Sequence, residues 1–206
     1  MPRELGIIFS GPMVPALLAG TKTMTRRPIE QLTDPDAAVL LEQHLGVATF
    51  GHSIPDDPVP LELRCRYLPG DRLWVKESFR RLAFDKVVYR ASLPRGSLDC
   101  HFKPWSSPLY LPRELSRITL EVEAVRAERL HAITEESAKA EGVPRDNEPC
   151  DHIRRSCAES GCMGPGYRSS YAERWMEMYD RHNPFAWRLN PWVWAVMFRV
   201  VETKAP

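Results

Sequence analysis

The stretch SRITLEVEAVRAERL, residues 116–130, predicts a long β-strand and sets the class of the fold. Ile118, Leu120 and Val122 alternate with polar side chains, which is the period of a strand with one buried face. The alternation slips at Val125, and a slip of one residue within a strand indicates a β-bulge. We therefore expect a fold that is built mainly on β-structure.

Other segments show weaker strand patterns. The C-terminal run PWVWAVMFRVVE is apolar on both faces at its start, so we expect Trp192 and Trp194 to belong to the core. Shorter apolar or alternating runs, bounded by glycine, proline or aspartate, complete the set of predicted strands. The predicted strands besides the first are 6–11, 72–79, 86–93 and 191–202.

Short helices are predicted between these strands, without regular alternation. The best defined covers 134–142, where Thr134 is a good N-cap and Gly142 a good stop. The irregular order argues against a doubly wound sheet and favours an α+β, mainly β fold, a small mixed or closed β-barrel with short helices. The other predicted helices are 12–20, 36–45 and 168–182.

The chain is long enough for one generous domain, which we assign to residues 1–206. Residues 28–60 contain several prolines and aspartates and are interpreted as a covering insertion. Residues 145–182 are interpreted as a second insertion, a cysteine-containing loop followed by a helix. This second insertion would decorate the C-terminal part of the barrel.

Composition excludes several classes of protein. Hydrophobic residues make up 43% and charged residues 27% of the 206, an ordinary globular mixture, and the net charge of +1 gives no overall field for polyanions. No run approaches the roughly 18 apolar residues of a membrane span. Prolines interrupt the apolar start, which disfavours a secretory signal and predicts a cytoplasmic protein without a membrane partner.

The segment AGTKTMTRR, residues 19–27, is a candidate site. A partly desolvated Lys22 would have a lowered pKa and could act as a base, which a threonine hydroxyl such as Thr25 needs as a nucleophile. The two side chains can meet only if Lys22 lies in the turn after Gly20, because strand residues three apart face opposite sides. A solvated turn is the alternative.

Two glutamates stand in unusual places. Glu141 ends a predicted helix, where the partial negative charge of the helix disfavours an acid, although surface acids are common. Glu77 lies on the same strand face as Leu73, Val75 and Phe79. A buried carboxylate needs a partner, so Glu77 is predicted either to pair with an arginine or to serve a ligand pocket.

The segment CDHIRRSCAESGC, residues 150–162, contains four soft metal ligands. Cys150, His152, Cys157 and Cys162 form a possible tetrahedral structural zinc site. Four protein ligands would leave no open position on the metal for catalysis. The alternative is a loop with reduced cysteines, which an odd total of five cysteines also allows.

The whole pattern resembles the ASCH-domain family, which has a PUA-like β-barrel fold. The resemblance is carried by IIFSGPMVPALLAGTKTMTRR, PGDRLWVKESF, SRITLEVEAVRAERLHAITEESAKAEGV and NPWVWAVMFRVVE, about half of the chain. Its most specific element is LAG-x-K-T-x-T-x-R. The long form, with CDHIRRSCAESGCMGPGYRSSYAERW, is similar to versions carried by bacteriophages and prophages.

The resemblance implies an activity, because the family includes a small bacterial amidohydrolase that deacetylates N4-acetylcytidine. Matching its motifs places the catalytic lysine, threonine and glutamate at Lys22, Thr25 and Glu141. Arg26 and Arg27, together with Glu77, are then expected to bind substrate, with Arg26 or a backbone N–H stabilising an oxyanion.

The expected substrate is an N4-acylated cytosine in a nucleoside, RNA or DNA, and no catalytic cofactor is expected. Other members of the family are described as RNA-binding modules or ribonucleases, which gives the alternative function.

Overall fold

Ten strands and three α-helices organise the described residues of the computed structural model, which are 2–34, 36, 38–52, 60–82, 86–93, 104–150, 163–179 and 181–204. The strands are β1 Glu4–Ile8, β2 Met24–Pro28, β3 Ala38–His44, β4 Val47–His52, β5 Leu61–Arg64, β6 Arg72–Lys76, β7 Phe79–Arg81, β8 Val87–Tyr89, β9 Ile118–Arg129 and β10 Trp192–Thr203. The helices are α1 Met13–Leu18, α2 Glu135–Ala140 and α3 Tyr167–Met178.

The main sheet has the strand order β1-β6-β9-β10-β2. Strands β1 and β6 are parallel, and the other neighbours are antiparallel. A second sheet has the order β3-β4-β5, and β7 pairs with β8. The prediction of an α+β, mainly β fold is confirmed. The predicted closed barrel is not confirmed, because the strands of the described residues form open sheets.

The predicted bulge lies in β9, close to its expected position. Met197 pairs with Ala124 and Phe198 pairs with Val122, which leaves Glu123 as the extra residue. The buried face therefore moves from Val122 to Val125, as the slipped alternation indicates.

The helix predicted over 36–45 is wrong, because β3 occupies this segment. Leu45 and Gly46 both have positive φ, 46° and 81°, and they form the two-residue turn that connects β3 to β4. Pairing with β4 outweighs the helix propensity of the leucines and alanines, since tertiary context overrides a weak local preference.

The hairpin of β3 and β4 contributes to the core through Ala48 and Phe50, and the interpretation of residues 28–60 as a covering insertion remains a prediction. Phe50 is buried and packs edge-on against Trp192, with ring centroids 5.1 Å apart. Both residues belong to the apolar cluster that holds the main and the three-stranded sheet together. A smaller cluster joins α2 and α3 to Val193 of β10. No helix in the described part of the chain is both long and apolar enough to span a membrane.

Candidate active site

Lys22 lies in the turn between α1 and β2, as its contact with Thr25 requires. Its backbone N–H donates to the carbonyl of Ala16, and β2 begins only at Met24. The next residue, Thr23, donates its N–H to the carbonyl of Ala140 at the end of α2, at 2.8 Å. The turn is thereby fixed against a helix more than a hundred residues away.

The Lys22 side chain is buried, with only 2% of its residue surface exposed. Its Nζ donates to the carbonyl of Met24 at 2.8 Å, to the carbonyl of Glu141 at 2.7 Å and to Glu141 Oε2 at 2.8 Å. Burial lowers the pKa of Lys22, and the charge of Glu141 opposes this shift in part. The cation therefore loses its proton more readily than a surface lysine.

Glu141 is the C-cap of α2, and its position depends on the next residue. Gly142 has a φ of +78°, and a Cβ there would approach the Lys22 Cβ to 2.7 Å and the Ala16 Cβ to 2.9 Å. Only glycine allows the end of α2 to lie this close to the lysine turn. An acid at a helix C-terminus is tolerated here because two cations, Lys22 and Arg26, hold its carboxylate.

Arg26 positions Glu141 and does not face the cavity as a free cation. Its side chain has no exposed surface, and Nη1 donates to Glu141 Oε1 at 3.1 Å. Its Nε donates to Glu128 Oε1 at 2.8 Å, and Nη2 donates to Ser137 Oγ at 3.0 Å. These contacts engage donors on all three nitrogens, and the predicted role of Arg26 in substrate binding remains a prediction.

A cavity of about 260 Å³ brings the predicted site residues together. Lys22, Thr25 and Glu141 all line it. Thr25 is 5% exposed, and its hydroxyl makes no hydrogen bond to another described residue. Apolar side chains form much of the remaining wall, among them Phe9, Met13, Val143 and Met178. The arrangement places a base candidate, a free hydroxyl and a carboxylate around a space suited to a small, partly apolar ligand.

Arg27 also lines this cavity, in a half-buried position. Its guanidinium lies 5.7 Å from the centre of the Phe9 ring, and Nη2 donates to the carbonyl of Ile8 at 2.6 Å. Arg27 thus connects β2 to the end of β1 across the cavity wall. Its predicted role in substrate binding remains a prediction.

Glu77 does not line the cavity, which leaves its pairing with an arginine as the supported alternative. Both of its oxygens accept hydrogen bonds from Arg117, from Nε at 2.7 Å and from Nη2 at 2.9 Å. Arg117 also lies over the Tyr89 ring and donates to Ser92 Oγ. Glu77 is thereby paired through both of its oxygens, and its predicted contact with substrate remains a prediction.

Only one of the four predicted zinc ligands lies among the described residues. Cys150 is exposed, and His152, Cys157 and Cys162 lie outside the described residues. The structural zinc site stays a prediction that metal analysis of the purified protein would check.

Helix α3 contributes cavity residues that sequence reasoning missed. Tyr171, Arg174 and Met178 line the cavity, and Arg174 Nη2 donates to Ser10 Oγ at 2.8 Å. Their spacing of three and seven places them on one helix face, which is a sequence signal that could have found them. The segment predicted as decoration is therefore part of the site.

Comparisons with known proteins give only distant likenesses. No family model matches the chain, and no curated protein matches it. A DUF984 protein, EF3133, from Enterococcus faecalis V583 is 8% identical, with a TM-score of 0.41, over 100% of this chain and 84% of that chain. An ASCH domain from Lactobacillus crispatus JV V101 is 12% identical, with a TM-score of 0.38, over 97% of this chain and 80% of that chain. Likenesses this distant assign neither a family nor an activity.

Proposed function

We propose that the protein is an amidohydrolase that removes the acyl group from an N4-acylated cytosine. The observation that carries the proposal is the buried pair of Lys22 and Glu141 beside the free hydroxyl of Thr25 in one cavity. The resemblance of the lysine segment to the ASCH amidohydrolase motif supports the same reaction.

The proposed base is the neutral form of Lys22. Its ammonium uses all three protons on Met24 and Glu141, so loss of one proton keeps two of these hydrogen bonds and leaves a lone pair. That lone pair takes a proton from the attacking group, which is either the Thr25 hydroxyl or a water molecule that this hydroxyl holds.

Glu141 completes the transfer of the proton. The proton that Lys22 gains passes along the 2.8 Å contact to Glu141 Oε2 and then to the departing exocyclic nitrogen. The C–N bond breaks as the new C–O bond is completed, and the products are a carboxylic acid and cytosine with a free amine. If Thr25 is the nucleophile, water then hydrolyses its acyl ester, so the overall balance is the same.

The charges around the cavity support this reaction. Besides the Lys22, Arg26 and Glu141 cluster, two cationic side chains line the cavity, Arg27 and Arg174. Their positive charge favours the oxyanion that forms when the acyl carbon is attacked.

Absorbance assays with a panel of N4-acylated cytidines test the proposal. The wild-type protein should hydrolyse at least one member, and Lys22→Ala should be slower by roughly a hundred- to ten-thousand-fold, the usual contribution of a general base. Lys139→Ala is the matched control, because Lys139 is exposed on α2. An acylated protein trapped during turnover would identify Thr25 as the nucleophile, and wild-type activity in Lys22→Ala would refute the mechanism.

A basic groove on the other side of β2 favours a second candidate function, the binding of single-stranded RNA. The groove has a volume of about 310 Å³, and Arg27 lines both this groove and the cavity. Its lining also includes Arg64, Arg66, Tyr67 and Trp194. The three arginines suit the phosphates of a strand, whereas Tyr67 and Trp194 are mostly buried in the core.

Binding and cleavage assays separate this candidate from the hydrolase. RNA binding that weakens steeply with salt and is reduced by Arg64→Ala, without hydrolysis of any acylated cytidine, would support a binding module. Fragments from a labelled RNA would instead indicate a ribonuclease. A labelled RNA that stays intact and does not bind the protein would exclude both the binding module and the ribonuclease.

A further inference from the structure

Helix α3 places one tyrosine in the cavity wall with a restrained ring. Tyr171 is 4% exposed, and its ring lies 6.1 Å from Trp175 and 6.4 Å from Trp187. The Arg26 guanidinium lies 5.7 Å from the centre of the Tyr171 ring. Packing on several sides holds the phenol in place without a hydrogen bond.

The Tyr171 hydroxyl has no hydrogen-bond partner among the described residues, although the residue lines the cavity. A hydroxyl with little exposed surface and no protein partner is available for a hydrogen bond to a bound ligand. Burial and the nearby charge of Glu141 raise the pKa of Tyr171 well above its usual value. The phenol therefore remains a neutral hydrogen-bond donor throughout the ordinary pH range.

Beyond the positive charge of Arg27 and Arg174, no hydrogen-bond donor in the cavity is assigned to the oxyanion. Arg26, the residue expected to supply it, is engaged by Glu128, Ser137 and Glu141. A pre-positioned donor stabilises developing charge because it needs no reorganisation during the reaction. Tyr171 combines a fixed position, an available proton and access to the cavity.

We propose that Tyr171 is a catalytic residue whose hydroxyl donates a hydrogen bond to the acyl oxygen as this oxygen becomes negatively charged. The proposal rests on the hydrolase function proposed above. No covalent bond to Tyr171 forms, and its proton stays on the phenol oxygen throughout the reaction.

Tyr171→Phe tests this role because it removes the hydroxyl and keeps the ring. We expect kcat to fall by about a hundred- to a thousandfold, as for the loss of one oxyanion donor, while KM changes little. Tyr179→Phe is the control, since Tyr179 packs against the same Trp175 but does not line the cavity. Both variants should unfold at wild-type temperatures.

Binding of acetate, the carboxylate product, gives a second readout that does not depend on turnover. NMR titration should show binding to Tyr171→Phe about tenfold weaker than to the wild type, because a hydrogen bond to a charged oxygen is lost. Hydrolysis at the wild-type rate by Tyr171→Phe would overturn this proposal and leave the hydrolase function standing. If the wild type hydrolyses no acylated cytidine, the hydrolase function fails, and equal or absent acetate binding then overturns the role of Tyr171 as well.

Discussion

The pair of Lys22 and Glu141 is stabilised by contacts that reach beyond the two residues. Burial of two charges costs several kcal/mol per ion unless other hydrogen bonds satisfy them. Two backbone carbonyls share the Lys22 ammonium, and Arg26 holds the second oxygen of Glu141. Two cations therefore hold the Glu141 carboxylate, and burial lowers the pKa of Lys22, its partner in the pair.

The pH dependence of hydrolysis follows from the lowered pKa of Lys22. The base must be neutral, so the rate should rise with pH and be half-maximal below 10.5, the usual pKa of lysine. Initial rates of deacetylation between pH 5 and pH 11 measure this profile. A rate that is independent of pH, or one that rises only above 10.5, would contradict the assignment of Lys22 as the base.

At this scale, the sequence could identify the reacting groups but not the residues that hold them. Lys22, Thr25 and Glu141 were predicted from a motif and a helix end, and the structure brings them to one cavity. The engagement of Arg26 depends on contacts across more than a hundred positions. Such contacts leave no local pattern in a single sequence.

At the scale of elements, the site depends on the meeting of the α1–β2 turn with the end of α2. The capping box between Thr134 and Ser137 starts α2, and Gly142 stops it. Helix α3 is tied to α2 because both oxygens of Glu135 accept N–H groups at the start of α3, from Tyr167 at 2.9 Å and Arg168 at 3.1 Å. Three segments therefore enclose the cavity as one unit.

Gly142→Ala should damage the site through this close approach. The new Cβ would meet Lys22 and Ala16 at less than 3.0 Å, in addition to the strain of a positive φ. We expect a loss of about 2–5 kcal/mol in unfolding free energy, the sum of strain and overpacking, and at least tenfold slower hydrolysis. Urea unfolding and kinetics measure the two effects.

Gly70→Ala is the control for backbone strain. Gly70 has a φ of +87°, but an added Cβ would meet no atom within 4 Å. The Gly70→Ala variant should lose only about 1–2 kcal/mol of unfolding free energy and hydrolyse the substrate at the wild-type rate. Equal effects of the two substitutions on hydrolysis would show that the contact between Gly142 and Lys22 does not matter.

The sequence predicts helices and strands best where their ends carry clear signals. Helix α2 has a cap and a stop, and β9 shows both its alternation and its slip. The segment 36–45 was predicted as a helix because its leucines and alanines are good helix formers. The segment forms a strand because it pairs with β4 and because Leu45 and Gly46 form a turn with positive φ. This turn is hard to recognise in the sequence, since its first position holds a leucine where asparagine, aspartate or glycine is usual.

At the scale of the whole molecule, two buried ion pairs lie in different places, and we assign only one of them to the proposed chemistry. Arg117 and Glu77 form a bidentate ion pair away from the cavity, and Arg117 packs against the Tyr89 ring. Lys22 and Glu141 form the pair inside it. Sequence reasoning could recognise both glutamates as unusual, but only the three-dimensional arrangement distinguishes their partners.

Glu77→Gln should therefore lower stability without slowing hydrolysis. Loss of one partner leaves Arg117 buried without its counter-charge, which costs about 3–5 kcal/mol. Chemical denaturation measures this loss, and kcat of the folded protein should stay within twofold of the wild type. A kcat reduced more than tenfold with unchanged stability would restore the substrate-binding role first expected for Glu77.

The most direct test of the central claim measures hydrolysis of N4-acetylcytidine by the wild type and by Glu141→Gln, with Glu136→Gln as the control. Glu136 is exposed on α2, whereas Glu141 is 3% exposed and bonded to Lys22. We predict that the wild type and Glu136→Gln release cytidine at similar rates and that folded Glu141→Gln is at least about a hundredfold slower. Equal rates for all three proteins, or no release by any of them, would contradict the account.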